Sequence, residues 1–292
     1  MGLPVDALAW LEAALQRALA TGDASGLEIV GWGEISCVLA WEAGGARRAC
    51  KRLPTFPGPV AAAAYAALFA EYLGMLGARG VMSVTSVLQS LAREDGVVVW
   101  CVQPMLPAGA DLPSFLRRCA AERATAVFVR VLDRILGCVD ARVGLDGQLS
   151  NWALVGDALV YVDVTTPMLR DASGADRLDK ERFMASLPRA LRGPVRPLVR
   201  RILDKYHDPR GVVLDLLGNL HKERLAALLP ALLAGANARV SPAFTPGEVR
   251  DYYAADARGW AFLQAIRRLE RFWTRRVRRR PYPFLLPGRI AR

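Results

Sequence analysis

Between residues 27 and 102 the chain carries five short stretches with strand character, Leu27 to Val30, Cys37 to Trp41, Arg47 to Leu53, Val84 to Ala92 and Val97 to Val102. Each is too short for a stable helix, and turn residues bound them, notably Gly44-Gly45 and Arg93-Glu-Asp-Gly96. One long Ala-rich stretch, Val60 to Leu76, separates the third from the fourth and reads as a helix. An amphipathic helix over residues 4–20, with Leu8, Leu11, Leu15 and Leu19 on one face, precedes them all. Gln103 to Gly109, with Pro104 and Pro107, cannot be regular structure and forms a connector. Beyond it Asp111 caps a helix through Cys119, and Thr125 to Arg142 is a longer one. From Lys180 onward the pattern is helical, broken by prolines at 188, 194, 197, 209, 230, 242 and 246. The expectation is an α+β chain divided near the connector: residues 1–103 hold a small antiparallel sheet with its helices, and residues 104–292 are mostly helical.

At 292 residues with a 53% hydrophobic fraction, the chain can bury a sizeable core. No uninterrupted apolar run reaches the roughly 18 to 20 residues that span a bilayer, and the N-terminus lacks the pattern of a signal peptide. Cys37, Cys50, Cys101, Cys119 and Cys138 are scattered and show no CxxC spacing, which predicts reduced, buried thiols in a cytoplasmic protein. With two histidines, His207 and His221, both read as surface or helix-end residues, a structural metal is not expected. The net charge of +11 is uneven: residues 267–280 hold eight arginines and one glutamate, with Phe272 and Trp273 interleaved. Such a run favours anionic partners, nucleic acid or anionic lipid, with Arg275, Arg276, Arg278, Arg279 and Arg280 as the contacts.

The stretch with most chemistry is Gly144-Leu-Asp-Gly-Gln-Leu-Ser-Asn151, followed by the apolar run Ala158 to Val162 and then Asp163. A loop holding an acid and an amide, then a strand ending in a second acid, is one way to hold a metal-bound phosphate chain beside a hydroxyl. Taken alone, Asp146-Gly147 is a turn. Asp163 is harder to dismiss, because a carboxylate after a buried strand needs a partner.

Order supplies the rest. A turn with Gly31 and Gly33 joins two strands; Lys51 lies on a third strand; Glu71 lies in the next helix. Two strands, a connector, two helices, the D-x-x-x-x-N loop and Asp163 follow. This order resembles the protein-kinase-like fold, in the style of aminoglycoside and other small-molecule phosphotransferases, over roughly residues 27–170. The resemblance implies a bilobal architecture, with ATP and magnesium as cofactors. It implies that Gly31 and Gly33, with Ser36 in place of a third glycine, let the backbone approach nucleotide phosphates. Lys51 would pair with those phosphates and Glu71 would hold Lys51 by an ion pair. Gln103 to Met105 would offer backbone groups to adenine. Asp146 would accept the proton of the acceptor hydroxyl, and Asn151 and Asp163 would hold magnesium.

The sequence departs from the family pattern at Gly144, where a histidine is usual, and at Val164-Thr165 after Asp163. The leading expectation is an ATP-dependent phosphotransferase acting on a small-molecule hydroxyl. The alternatives are a pseudokinase that binds nucleotide without transfer, and an anion-surface binder acting through the Arg-rich segment.

Overall fold

The computed structural model describes residues 2–33, 36–43, 45–179, 203–280 and 282–286, together with the single positions 184, 193, 197, 200 and 201. The fold is mixed α+β, with a five-stranded antiparallel sheet and helices. Helix α1 (Val5–Thr21) comes first, then strands β1 (Ile29–Trp32), β2 (Cys37–Ala43) and β3 (Ala46–Arg52). Helix α2 (Pro59–Ala78) interrupts the sheet, which β4 (Val87–Arg93) and β5 (Gly96–Pro104) complete. The strand order is β1-β2-β3-β5-β4. All five expected strands form, with ends shifted by a few residues.

Strand alternation decides which side of the sheet each residue serves. Leu39, Cys50, Val98, Trp100 and Val102 pack against Leu8, Leu11, Leu15 and Leu19 of α1, whose 3–4 spacing makes one apolar face. Val99 and Cys101 point the other way, into the larger core that contains Tyr65, Leu68, Phe69, Tyr72 and Leu76 of α2. Lys51, between Cys50 and Arg52, therefore faces away from α1. By length and composition α2 could cross a membrane, although Glu71 interrupts its apolar sequence, and Ala62, Tyr65, Leu68, Phe69, Tyr72 and Leu76 join this core.

One polar residue joins α1 to the sheet. Glu12 is 4% exposed and accepts from Arg52 at 2.9 and 3.1 Å, from Arg93 at 3.0 Å and from the Trp100 indole at 3.1 Å. A carboxylate so buried needs such partners, and two guanidiniums supply the charge.

After β5 come α3 (Leu112–Arg118), capped by the Asp111 side chain on the Ser114 N–H as expected, and α4 (Ala121–Cys138). A short hairpin follows, β6 (Trp152–Val155) and β7 (Ala158–Tyr161), with Trp152 opposite Tyr161. Helices α5 (Pro209–Lys222), α6 (Leu229–Asn237) and α7 (Pro246–Phe272) complete the described chain. Pro209, Pro230 and Pro246 start these helices rather than break them, because the first turn needs no proline N–H. Pro188 and Pro194 lie outside the described residues. All five cysteines are free thiols, with Cys119 half-buried and the others buried.

Candidate functional site

The β6–β7 hairpin assembles the acids. Its first pair is Trp152 with Tyr161, so Asn151 and Val162 meet at its open end, where the Val162 N–H donates to the Asn151 carbonyl at 2.8 Å. Asp163 is the next residue. Across a 3₁₀ turn the Asn151 amide nitrogen donates to the Asp146 carbonyl at 3.2 Å, and the Gln148 N–H donates to the Asp146 carboxylate at 3.2 Å. The eleven residues between them thus place Asn151 beside Asp163.

Lys51 reaches this loop from the sheet. Its Nζ donates to Asp163 Oδ1 at 2.8 Å, and the Thr165 hydroxyl donates to the same oxygen at 3.0 Å. Both charged side chains are largely buried, 19% and 33% exposed. Burial works against the Asp163 carboxylate, but Lys51 and then Thr165 outweigh it and hold its pKa below the usual carboxylate value. A Cβ on Gly33 would lie 3.9 Å from Lys51 Cε, and the Gly33 N–H donates to the Ser36 carbonyl at 2.8 Å. Gly33 therefore lies beside the Lys51 side chain; residues 34 and 35 lie outside the described residues. Gly31 sits in β1, paired with Val38.

Three expectations are corrected. Glu71 does not hold Lys51. It lies on the outer side of α2, where Arg177 donates to both of its oxygens, one at 2.8 Å, and keeps its pKa low. The inward side of that helix belongs to Tyr65, Leu68 and Tyr72. Nor is the Met105 N–H open as expected: it donates to the Arg47 carbonyl at 3.1 Å, continuing the β3–β5 ladder. The Gln103 side chain donates to the Val162 carbonyl and to the Ser86 hydroxyl, both at 3.0 Å, so it ties the sheet to the strand that carries Asp163. Finally, His207 does lie at a helix end, after helical residues 203–206, but it is buried rather than on the surface, 6% exposed.

His207 explains the glycine at 144. A Cβ built there would come within 2.8 Å of His207 Cε1 and 3.0 Å of both ring nitrogens. The imidazole from a later element fills the space that a side chain at 144 would need. Its Nδ1 lies 3.1 Å from the Leu203 carbonyl, and burial pushes its pKa down, keeping it neutral. Gly147 is required for a similar reason, since a Cβ would lie 2.6 Å from Val212 of α5 and 2.9 Å from Ile135 of α4. The loop is also hung from α2, because the Tyr72 hydroxyl donates to the Gly144 carbonyl at 3.0 Å and the Tyr65 hydroxyl to the Thr165 carbonyl at 2.9 Å.

Beside Asp146 lies a polar cluster that the sequence reading did not find. Asp215, 2% exposed, accepts from the Tyr252 hydroxyl at 2.5 Å and pairs with Lys205 at 3.0 Å. Lys205 also donates to the Tyr252 hydroxyl at 2.8 Å. The second Asp215 oxygen, Oδ2, is buried without a partner among the described residues. Burial and then the Asp215 charge push the Asp146 carboxyl up to about 7, with Asp163 adding to the rise and Lys205 opposing it. The sequence did hold one signal: Asp215 interrupts the apolar run Val212, Val213, Leu216, Leu217, Leu220, where a lone acid requires partners.

The site is thus a lysine on a central strand facing an acid–amide pair on a hairpin, with a base-like carboxylate one loop away. Among the described residues no cluster of three or more His, Cys, Asp or Glu could hold a metal by itself. A magnesium ion needs less, one or two protein oxygens with the rest from phosphate and water, and Asp163 with the Asn151 amide oxygen suits that demand. The chain matches, over residues 10–271, a family of unknown function (DUF6206), and belongs to it. No curated protein matches it.

Proposed function

We propose that this protein is an ATP- and magnesium-dependent phosphotransferase of protein-kinase-like, bilobal fold, acting on the hydroxyl of a small molecule. Residues 1–103 and 104–292 would form the two lobes. The observation that supports it best is the Lys51–Asp163 ion pair, which joins a sheet lysine to the acid beside Asn151 across 112 positions of sequence. Strand, turn and hairpin each place one member of that set, and buried charges of this kind concentrate at functional sites.

In this reading Lys51 neutralises nucleotide phosphates, assisted by the close backbone at Gly31, Gly33 and Ser36. Asn151 and Asp163 would hold magnesium, whose chemistry there is to screen phosphate charge. Asp146 orients the acceptor hydroxyl and takes its proton. Its raised pKa suits that task near neutral pH, where a general base is most effective. Thr165, read from sequence as a departure, fixes the orientation of Asp163.

The test is ATP turnover against a panel of small hydroxyl compounds, comparing the wild type with Asp146→Asn. Transfer to one class of acceptor, lost in the variant, is the expected result; equal rates in both would sink the assignment. A second reading, nucleotide binding without transfer, is favoured by one observation, the engagement of Glu71 by Arg177 instead of Lys51. It predicts thermal stabilisation by ATP with magnesium and no turnover with any acceptor.

A further inference from the structure

We propose that the outer face of the last part of α7, with the turn that follows it, docks this protein onto an anionic lipid surface. This goes beyond the catalytic reading and does not rest on it. Helix α7 buries Val249, Gln264 and Arg267 on one side. On the opposite side Phe262, Leu269, Phe272 and Trp273 are 62%, 66%, 59% and 47% exposed. At 100° per residue these four fall within an arc of about 100°, and at 1.5 Å per residue the stripe is about 16 Å long. Isolated exposed apolar residues need no explanation; four large ones in a row mark a surface that meets something apolar.

Charge identifies the partner. Arg276, Arg278, Arg279 and Arg280 follow the stripe directly and are exposed, and Glu270 is the one acid between Phe262 and Arg280. Arg275 is turned inward, donating to the Leu19 carbonyl at 2.8 Å, where the C-terminal carbonyls of α1 attract a cation. That bond fastens the arginine-rich turn to the body, so the four exposed arginines start from a fixed base. A second copy docking on this face would bring like charges together. A nucleic acid would accept the guanidiniums but leave Phe262 and Leu269 in water. The boundary between lipid headgroups and acyl chains takes both, apolar side chains below and guanidiniums at the phosphates.

Co-sedimentation of the full chain with vesicles of phosphatidylcholine, alone or mixed with phosphatidylserine, tests the proposal. Binding should require phosphatidylserine and weaken with salt. Replacing Phe262, Leu269 and Phe272 by serine should weaken it about tenfold or more. Replacing the four exposed arginines by glutamine should weaken it about a hundredfold or more. All seven side chains are exposed, so both variants should keep the wild-type melting temperature. Failure to bind the mixed vesicles would overturn the proposal, as would binding that the serine variant retains in full. Two further results would do the same: salt-sensitive retention on duplex DNA that anionic vesicles do not compete away, and a dimer that the serine substitutions dissolve without any vesicle binding.

Discussion

Gly144 and His207 act as one unit although 63 positions separate them. Gly144→Ala should be destabilising, because its Cβ would meet the imidazole at 2.8 Å. His207→Ala should cost about 2 to 4 kcal/mol through the cavity it leaves. The double substitution should cost less than the sum, and denaturant titration of the four proteins measures the coupling. Asp146 gives a pH prediction. Its carboxyl is pushed up to about 7 by burial and by Asp215, so under the proposed function transfer should rise with pH through about 7 as Asp146 ionises. Asp215→Asn should move that rise to lower pH, read from the rate profile. The stability sign is opposite. Between the ordinary carboxylate value of about 3.9 and about 7, the folded chain holds a proton that the unfolded chain has released. Stability from this group therefore falls as pH rises through that window, and Asp146→Asn should flatten the slope in thermal melts.

At the scale of elements, two helices on opposite faces of the sheet have different tasks. Helix α1 is fixed by Glu12 within its ring of Arg52, Arg93 and Trp100. Removing the carboxylate leaves two arginines beside an apolar core, so Glu12→Ala should cost about 3 to 5 kcal/mol in chemical denaturation. Helix α2 holds the site loops through hydroxyls rather than through Glu71. Tyr72→Phe leaves the Gly144 carbonyl without its donor and should cost about 1 to 2 kcal/mol. Glu71→Gln affects an exposed pair and should change stability by less than about 1 kcal/mol. An apolar stripe announced α1 in sequence and a long Ala-rich run announced α2, which is why both were legible. The hydroxyl bonds were not, because Tyr72 reads as one more core aromatic until the loop it meets is known.

For the whole molecule, the Lys51–Asp163 pair connects the sheet to the hairpin that carries the acids. If a nucleotide with magnesium binds there, folding and binding are linked, and the melting temperature should rise with ligand concentration. Lys51→Met should abolish that rise, measured by thermal shift with ATP and magnesium. The variant also leaves Asp163 without its cation, so its ligand-free stability should fall as pH rises above the carboxylate range. No rise in the wild type would count against nucleotide binding altogether.

Local chemistry in the chain determined the strands, the turns, the Asp111 cap and the order Lys51, Asp146, Asn151, Asp163, because each depends on neighbours within a few residues. Asp215 inside an apolar run held a further signal, but its burial and its partners Lys205 and Tyr252 came only from the fold. Pairing across the fold was decided only by tertiary structure. It gave Asp163 rather than Glu71 to Lys51, turned Arg177 onto Glu71, and filled the space at Gly144 with His207. Such choices depend on which side of α2 faces the sheet and on how closely α4 and α5 approach the loop at Gly147. A charged side chain can satisfy several partners equally well in sequence, and only packing selects among them.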